Sequence, residues 1–179
     1  MSHNSNSPQG LVMVNTGDGK GKTTAALGLA LRAVGHGQQV CIIQFMKGDP
    51  NYGELQALRQ YLPMIRLEST GTTDFVDRDN PTPTDLDEAE RGIVMAEEAV
   101  QQGYNLVILD EINVAIDFGL IPLERVLRLI KNRPPHSHLL LTGRYAPQPL
   151  LDLADTVSTI SDTKHHFYKG IPAQPGIEH

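Results

Sequence analysis

Length, composition and charge limit what this chain can be. Its 179 residues and 19.6 kDa suit one domain, because single cores commonly serve about 100–200 residues. Fifteen basic residues against 21 acidic ones leave a net charge of −6, which favours neither duplex DNA nor an anionic membrane as a partner. The single cysteine, Cys41, excludes an internal disulfide framework and is typical of a reducing compartment.

The chain carries no pattern for export or membrane insertion. Residues 1–10 are polar and lack the basic and apolar stretches of a signal peptide. The apolar run 25–34 contains Gly28 and Arg32 and is too short to span a bilayer. We therefore expect a cytoplasmic protein without nucleic-acid or membrane partners. Residues 1–179 should form one domain, with 1–10 as a flexible leader and 162–179 as a surface tail.

The predicted elements alternate between strand and helix. Apolar runs predict strands at 11–14, 40–45, 64–67, 106–109, 139–142 and 156–160. Helical spacing and turn signals predict helices at 22–34, 52–61, from 84 up to Gly103, and at 123–131, with a helical turn at 149–154. Such alternation requires right-handed crossovers and a parallel sheet covered on both faces, so we predict a three-layer α/β fold.

The helix that begins near Thr84 has the clearest signature. Pro83 precedes it, and Asp87 three residues after Thr84 can complete a capping box. Apolar residues at spacings of three and four predict its buried face: Leu86, Ala89, Ile93, Ala96 and Val100. The polar, turn-rich residues 69–83 before it predict a mobile loop.

A glycine-rich loop joins the first strand to the first helix. Residues 16–23 read T-G-D-G-K-G-K-T, with Thr16 at the first glycine position of the general G-x-x-x-x-G-K-[ST] pattern. Backbone N–H groups of such a loop, the helix N-terminus, a lysine and a threonine hydroxyl form a cradle for phosphate and Mg²⁺. We predict phosphate binding by Gly17, Asp18, Gly19, Lys20, Gly21, Lys22, Thr23 and Thr24, within a P-loop NTPase-like (RecA-like) fold and a mostly parallel sheet. The alternative is a plain glycine-rich turn.

A pair of carboxylates follows the fourth strand. Asp110 and Glu111 stand at the carboxyl end of an apolar run, a position beside the phosphate loop in this topology. With Thr23, at least one of them is expected to bind Mg²⁺ or Mn²⁺. The alternative is that Asp110 only caps the turn that follows.

Further polar residues stand at strand ends on the same predicted rim. Gln44 and Lys47 follow the second strand and Arg144 follows the fifth, where ligands of open α/β sheets bind. We expect contact with a nucleotide, and solvated loop charge is the alternative. The histidines are less informative, because His165 and His166 have no cysteine or carboxylate at metal-ligand spacing along the chain.

These residues alone allow two functions of different class. One is a Mg²⁺-ATP hydrolase in which Glu111 orients or deprotonates water. The other is a nucleotide-binding regulatory module with little turnover. Steady release of ADP and phosphate would distinguish the hydrolase.

Several stretches together resemble one known family. They are residues 16–26, 32–37, 44–48, 109–111, 142–144, 152–158 and 170–178. In this combination the chain, from about Leu11 to Glu178, is similar to the P-loop corrinoid adenosyltransferases, which act on ATP and cob(I)alamin or cob(I)yrinic acid a,c-diamide. The missing first glycine of the loop is itself a trait of that family.

The resemblance implies a specific chemistry. Co(I) of a reduced corrinoid attacks C5′ of ATP and expels triphosphate, in adenosylcobalamin synthesis or salvage. Lys22, Thr23 and Glu111 would be the catalytic residues. Thr23 and Glu111 would hold the metal, which moves Glu111 from water activation to metal binding, and Arg144 would add a phosphate contact. ATP would lie reversed in the loop, and the family implies a homodimer supplied with electrons by a flavoprotein reductase.

Two departures concern the corrinoid side. Family members usually have an aromatic pair after Thr-Gly, as in T-G-F-x-W, whereas this chain reads T-G-T-T-D-F from Thr70 and has no tryptophan. Phe75 is therefore the candidate corrinoid contact. Known members also have a longer N-terminal segment that folds over the corrinoid, whereas about ten residues precede the first strand here. A paralogue acting on another acceptor is the alternative.

Overall fold

All six strands of the sheet run parallel. In the computed structural model, which describes residues 9–178, the strand order is β3-β2-β4-β5-β1-β6. The strands are β1 (Val12–Thr16), β2 (Val40–Gln44), β3 (Ile65–Ser69), β4 (Leu106–Asp110), β5 (His138–Thr142) and β6 (Thr156–Thr159). The helices are α1 (Lys22–Gly35), α2 (Gly53–Tyr61), α3 (Pro83–Gln101), α4 (Ile112–Asp117), α5 (Leu123–Asn132) and α6 (Gln148–Leu153), followed by a 3₁₀ helix at His166–Lys169.

Helices cover both faces of this sheet. The apolar residues of α1 and α2 pack on one face, and those of α3, α4, α5 and α6 pack on the other. Every residue of β2 and β4 is buried, which is why these strands read as continuous apolar runs rather than alternating ones. The predicted three-layer α/β fold with a parallel sheet is confirmed.

The start of α3 differs from the sequence prediction. The capping box is formed by Thr82 and Asp85, not by Thr84 and Asp87, because Pro83 already occupies the first helical turn. The Asp85 carboxylate accepts from the Thr82 backbone N–H at 2.8 Å. Asp85 rather than Leu86 then lies one turn before Ala89 on the buried face, and Leu86 is 43% exposed.

Helix α4 has no counterpart in the sequence prediction. It is only six residues long and follows β4 directly, where the sequence indicates no more than a turn. Glu111 joins the two elements in the left-handed conformation, with φ of 64°. This kink ends the strand immediately after Asp110.

The chain after β6 continues as a largely exposed segment with one 3₁₀ helix. Most of its residues are exposed, but residues 177 and 178 return to the glycine-rich loop after β1. The first eight residues of the expected leader lie outside the described part of the chain. No helix within residues 9–178 combines the length and the apolar character needed to cross a membrane.

Candidate active site

The carboxyl ends of the parallel strands border one open cleft of about 1180 Å³. Most residues predicted for the site line this cleft, which is where open α/β sheets bind ligands. They are Asp18, Gly19, Lys20, Gly21, Lys22, Thr23, Thr24, Lys47, Phe75, Glu111 and Arg144. Gly17, Gln44 and Asp110 lie behind this lining, so the structure gives them supporting positions.

The glycines of the loop are required by its close packing. Gly17 and Gly21 have backbone φ angles of 94° and 119°, which residues other than glycine rarely adopt. A Cβ on Gly17 would lie 2.5 Å from the carbonyl oxygen of Ile160, just after β6. Gly19 donates its backbone N–H to the same oxygen at 2.8 Å. The loop therefore rests on the chain that leaves β6.

The side chain of Lys22 is bound to its own loop. Its ammonium donates to the carbonyl oxygens of Gly17 at 2.6 Å and Gly19 at 2.7 Å. Burial lowers its pKa, with repulsion from Arg144 in the same direction, whereas Glu111 opposes the shift. An ammonium has three donors, so these two bonds leave one for a ligand in the cleft.

The carboxylate of Asp110 is held by four side chains, from the ends of β2 and β5, the first turn of α1 and the loop after β2. Oδ1 accepts from Thr142 at 2.7 Å and from Thr23 at 3.0 Å. Oδ2 accepts from Lys47 at 2.8 Å and from Gln44 at 3.3 Å. The alternative that Asp110 caps a helix is wrong, since it ends β4 and Glu111 is the N-cap residue of α4. Asp110 is instead the hub that fixes Thr23.

Glu111 is the carboxylate directed at the cleft. Its backbone N–H donates to Thr142 at 3.0 Å, while its side chain lines the cleft and forms no hydrogen bond or ion pair with the residues described. Burial and the neighbouring Asp110 raise its pKa, against the opposing effects of Lys47, Lys22 and Arg144. Glu111 and Thr23 both line the cleft, and a carboxylate with a hydroxyl forms an oxygen donor set of the kind that Mg²⁺ and Mn²⁺ prefer.

Gln44 and Lys47 differ in their relation to the cleft. Gln44 is fully buried, donates to Asp110 and accepts from Ser69, so the expectation that it contacts a ligand directly is wrong. Lys47 lines the cleft and forms an ion pair with Asp110. Its ammonium also lies 3.8 Å from the Glu54 carboxylate. Although burial acts to lower its pKa, these carboxylates raise it overall. Lys47 is therefore a buried ion-pair partner, and the alternative of a solvated loop charge is wrong.

An aromatic wall that also carries a basic residue forms another part of the cleft lining, made of Phe75, Arg78, Phe118 and Tyr145. Phe75 is fully exposed at its rim. Nearby, the guanidinium of Arg78 lies 5.7 Å from the ring centre of Phe118 and 6.0 Å from that of Tyr145. These last three residues were not predicted for the site, because they lie in separate loops and share no sequence pattern. The wall offers a ligand flat apolar surface beside a positive charge.

The tail closes one end of the cleft over the loop. The Lys20 ammonium donates to the Ile177 carbonyl at 2.8 Å and lies 3.8 Å from Glu178. The Glu178 carboxylate also lies 3.5 Å from His165 and 3.3 Å from His166. The fold thus supplies the carboxylate that chain spacing did not suggest. However, Nδ1 of His165 accepts from the Phe167 N–H, which leaves Nε2 as a donor towards Glu178 rather than a metal ligand.

Comparisons with known proteins agree over nearly the whole chain. The family model described as "ATP:corrinoid adenosyltransferase BtuR/CobO/CobP" matches residues 8–179. "Corrinoid adenosyltransferase CobA" of Salmonella typhimurium is 38% identical over 172 residues, covering 96% of this chain and 86% of that protein. A corrinoid adenosyltransferase of Pseudomonas aeruginosa is 37% identical over 174 residues, covering 95% of this chain and 84% of that protein.

One solved structure bears on the fold. The KaiC-like protein PH0186 of Pyrococcus horikoshii OT3 superposes with a TM-score of 0.56 at 18% identity, covering 86% of this chain and 74% of that one. At this identity the likeness concerns the arrangement of strands and helices alone. It agrees with the predicted three-layer α/β fold.

Proposed function

This chain belongs to the ATP:corrinoid adenosyltransferase family, and we propose that its cleft transfers the 5′-deoxyadenosyl group of ATP to Co(I) of a reduced corrinoid. The Co–C5′ bond forms with the electron pair of Co(I). The C5′–O bond breaks, and its electron pair leaves with inorganic triphosphate. The reaction belongs to cobalamin synthesis or salvage. The observation that carries the proposal is the family match over residues 8–179, together with a glycine-rich loop that lines the same cleft as Glu111.

The reaction needs no general base from the protein. Co(I) is already a strong nucleophile, so catalysis consists of placing C5′ in line and stabilising charge on the departing triphosphate. The residues that line the loop side of the cleft supply N–H and ammonium donors, which suits that task. Glu111 is then not needed as a base.

Phosphate binding is assigned to the loop and its lysine. Apart from the Gly19 N–H, which donates to Ile160, the backbone N–H groups of residues 17–24, at the start of α1, would face the polyphosphate. Lys22 is held against this loop by two carbonyl oxygens, and its remaining donor would meet a phosphate oxygen. Arg144, exposed on the cleft lining, would balance further negative charge.

The metal position is assigned to Thr23 and Glu111. Mg²⁺, or Mn²⁺ in its place, would supply positive charge to the leaving triphosphate. The Thr23 hydroxyl is oriented by its bond to Asp110, and its oxygen, which accepts from Lys47 at 3.5 Å, would be the metal ligand. Asp110, with four donors already in place, would act by holding Thr23 rather than as a direct ligand.

The corrinoid is assigned to the aromatic wall of the cleft. Phe75 lies at its rim with its whole ring accessible, and Tyr145 and Phe118 extend the apolar surface around Arg78. A flat macrocycle with amide side groups is complementary to such a wall. The family resemblance further supports a homodimer, cytoplasmic location, and a flavoprotein reductase that delivers Co(I).

A product analysis tests this function. The protein is mixed with ATP, Mg²⁺ and chemically reduced cobalamin under anaerobic conditions, and the inorganic product is identified. Triphosphate with formation of adenosylcobalamin is the expected result. ADP with phosphate would favour a hydrolase, for which the buried Glu111 carboxylate is a suitable base, and triphosphate only with another acceptor would favour a paralogue. Unchanged ATP would favour a binding module.

A further inference from the structure

A lysine ammonium lies between the loop threonine and the hub carboxylate. The Nζ atom of Lys47 is 2.8 Å from Oδ2 of Asp110 and 3.5 Å from Oγ1 of Thr23, and it donates to both. In P-loop proteins the hydroxyl of the loop Ser or Thr and the carboxylate after the neighbouring strand hold Mg²⁺. Lys47 therefore places a positive charge at the corner where such a cation binds.

The backbone builds Lys47 into this position. Its N–H donates to the Thr70 carbonyl at 3.0 Å, and Met46 before it has a φ angle of 58°. A Cβ on Gly71 would lie 2.8 Å from the Lys47 nitrogen, so the loop after β3 packs directly against this turn. Two chain segments thus hold the base of the side chain, and its location is not that of a free surface lysine.

The surroundings of the ammonium resemble those of a bound cation. The Asp110 carboxylate contacts it, the Glu54 carboxylate lies 3.8 Å away, and the Tyr52 ring centre lies 5.7 Å away. The side chain of Lys47 is 16% exposed and that of Asp110 is 1% exposed. A second cation at the same corner would meet strong repulsion, because the low-dielectric surroundings screen it weakly.

We propose that Lys47 is a resident cation that occupies the Asp110–Thr23 corner before nucleotide binds and keeps free divalent ions out of it. The phosphates of an incoming nucleotide would compete with Asp110 for the ammonium, and the lone pair of Thr23 would become available as Lys47 moves. A divalent ion would then enter together with the nucleotide rather than ahead of it. The inference rests on the proposed function only in taking ATP as that nucleotide.

The test is Mn²⁺ binding to the full chain without nucleotide, followed by electron paramagnetic resonance. Lys47→Met should bind Mn²⁺ at least roughly tenfold more tightly than the wild type, because the competing charge is gone. Lys20→Met is the matched control, since the Lys20 ammonium is held by the tail at Ile177. It removes the same net charge without vacating the corner and should change Mn²⁺ affinity by less than about threefold.

Two further variants test the proposal. Lys47→Gln, which is neutral but retains a donor, should reproduce the gain if Lys47→Met unfolds, as judged by a thermal melt. Glu111→Gln added to Lys47→Met should abolish the gain, because an ion at the Thr23 hydroxyl then loses Glu111, the carboxylate assigned to hold it. Equal or weaker Mn²⁺ binding by the folded Lys47 variants, or the same gain in Lys20→Met, would overturn the proposal. These experiments contain neither ATP nor corrinoid, so their failure is distinct from failure of the transferase assignment.

Discussion

The hydroxyl of Thr23 donates to Oδ1 of Asp110 at 3.0 Å, although 87 positions separate the two residues in the chain. The bond ties the first turn of α1 to the end of β4, across the strand β5 that lies between β1 and β4 in the sheet. It makes the phosphate side and the metal side of the cleft one structural unit.

Lys22→Ala should lower the rate of adenosyl transfer by at least roughly 10²-fold, as expected for loss of one strong transition-state donor. The reason is that Lys22 supplies the ammonium nearest the loop carbonyls of Gly17 and Gly19. The measurement is steady-state transfer from ATP to reduced cobalamin. Lys131→Ala, at an exposed position near the end of α5, is the control and should retain wild-type rates. Unchanged transfer in Lys22→Ala would refute the phosphate-loop assignment.

Glu111→Gln should raise the melting temperature of the metal-free protein at neutral pH. The folded pKa of Glu111 is raised above the ordinary value of 4.5, so the ionised group costs stability above the folded pKa. Below 4.5 the carboxyl is protonated in both the folded and unfolded states, and the cost disappears. The difference between variant and wild type should therefore shrink as the pH falls through this range. Thermal melts in chelator between pH 4 and 8 measure it, and a difference that grows towards acid pH would contradict the assignment.

Phe75→Ala should weaken corrinoid turnover while ATP affinity and thermal stability stay unchanged. The ring is fully exposed at the rim of the cleft, so its removal leaves no cavity. Phe45 offers the contrast, because it is fully buried and its truncation to Ala should cost about 3–5 kcal/mol of unfolding free energy. The Michaelis constants for ATP and corrinoid, measured separately, distinguish the two. Equal loss of both affinities in Phe75→Ala would indicate that the ring does not act on the corrinoid.

Glu178→Gln should tighten ATP binding by a factor of about 2 to 5. The carboxylate lies 3.8 Å from the Lys20 ammonium, and an exposed ion pair of this kind is worth at most about 1 kcal/mol. Its loss leaves the loop with more uncompensated positive charge near the phosphates. Equilibrium ATP binding at low and high salt checks this, and the gain should fall as salt increases. Weaker binding in Glu178→Gln would mean that the tail aids rather than opposes the nucleotide.

Thr82→Ala should destabilise the protein by about 1 kcal/mol, the usual cost of losing an N-cap hydroxyl. The matched control is Thr84→Ala, which removes a hydroxyl two residues later, inside the first turn of α3. It should cost far less, because the Asp85 backbone N–H bonds to Thr82 at 3.2 Å. Chemical denaturation of both variants measures the difference. A larger loss for Thr84→Ala would restore the capping box predicted from sequence.

Local sequence patterns were sufficient to predict the strands, the main helices and the phosphate loop. The continuous apolar run of β2 and the loop sequence before Lys22 have direct physical causes, namely burial on both faces and close backbone packing. The position of Asp110 was equally predictable from the sequence, because a carboxylate at the end of a buried parallel strand lies at the edge of the cleft. What these patterns share is that each depends on residues adjacent in sequence.

The features that sequence did not predict depend on distant residues. Helix α4 is too short to show a periodic pattern, and its start depends on the kink at Glu111. Gln44 stands at a strand end like Lys47, yet Ser69 and Asp110 turn its amide inward. The approach of residue 178 to Lys20 spans most of the chain and leaves no local signal.

The close fit of Gly17 and Gly19 against residues 160 and 161 links the glycine-rich loop to the last strand of the sheet. In the described chain β6 is an edge strand that pairs with the sheet through β1. The glycine-rich loop packs against the residues that follow β6. A chain ending at Asp155 would retain five strands and both carboxylates but would lack the support beneath the loop. The phosphate-binding shape of the loop therefore depends on the packing of the last strand against it.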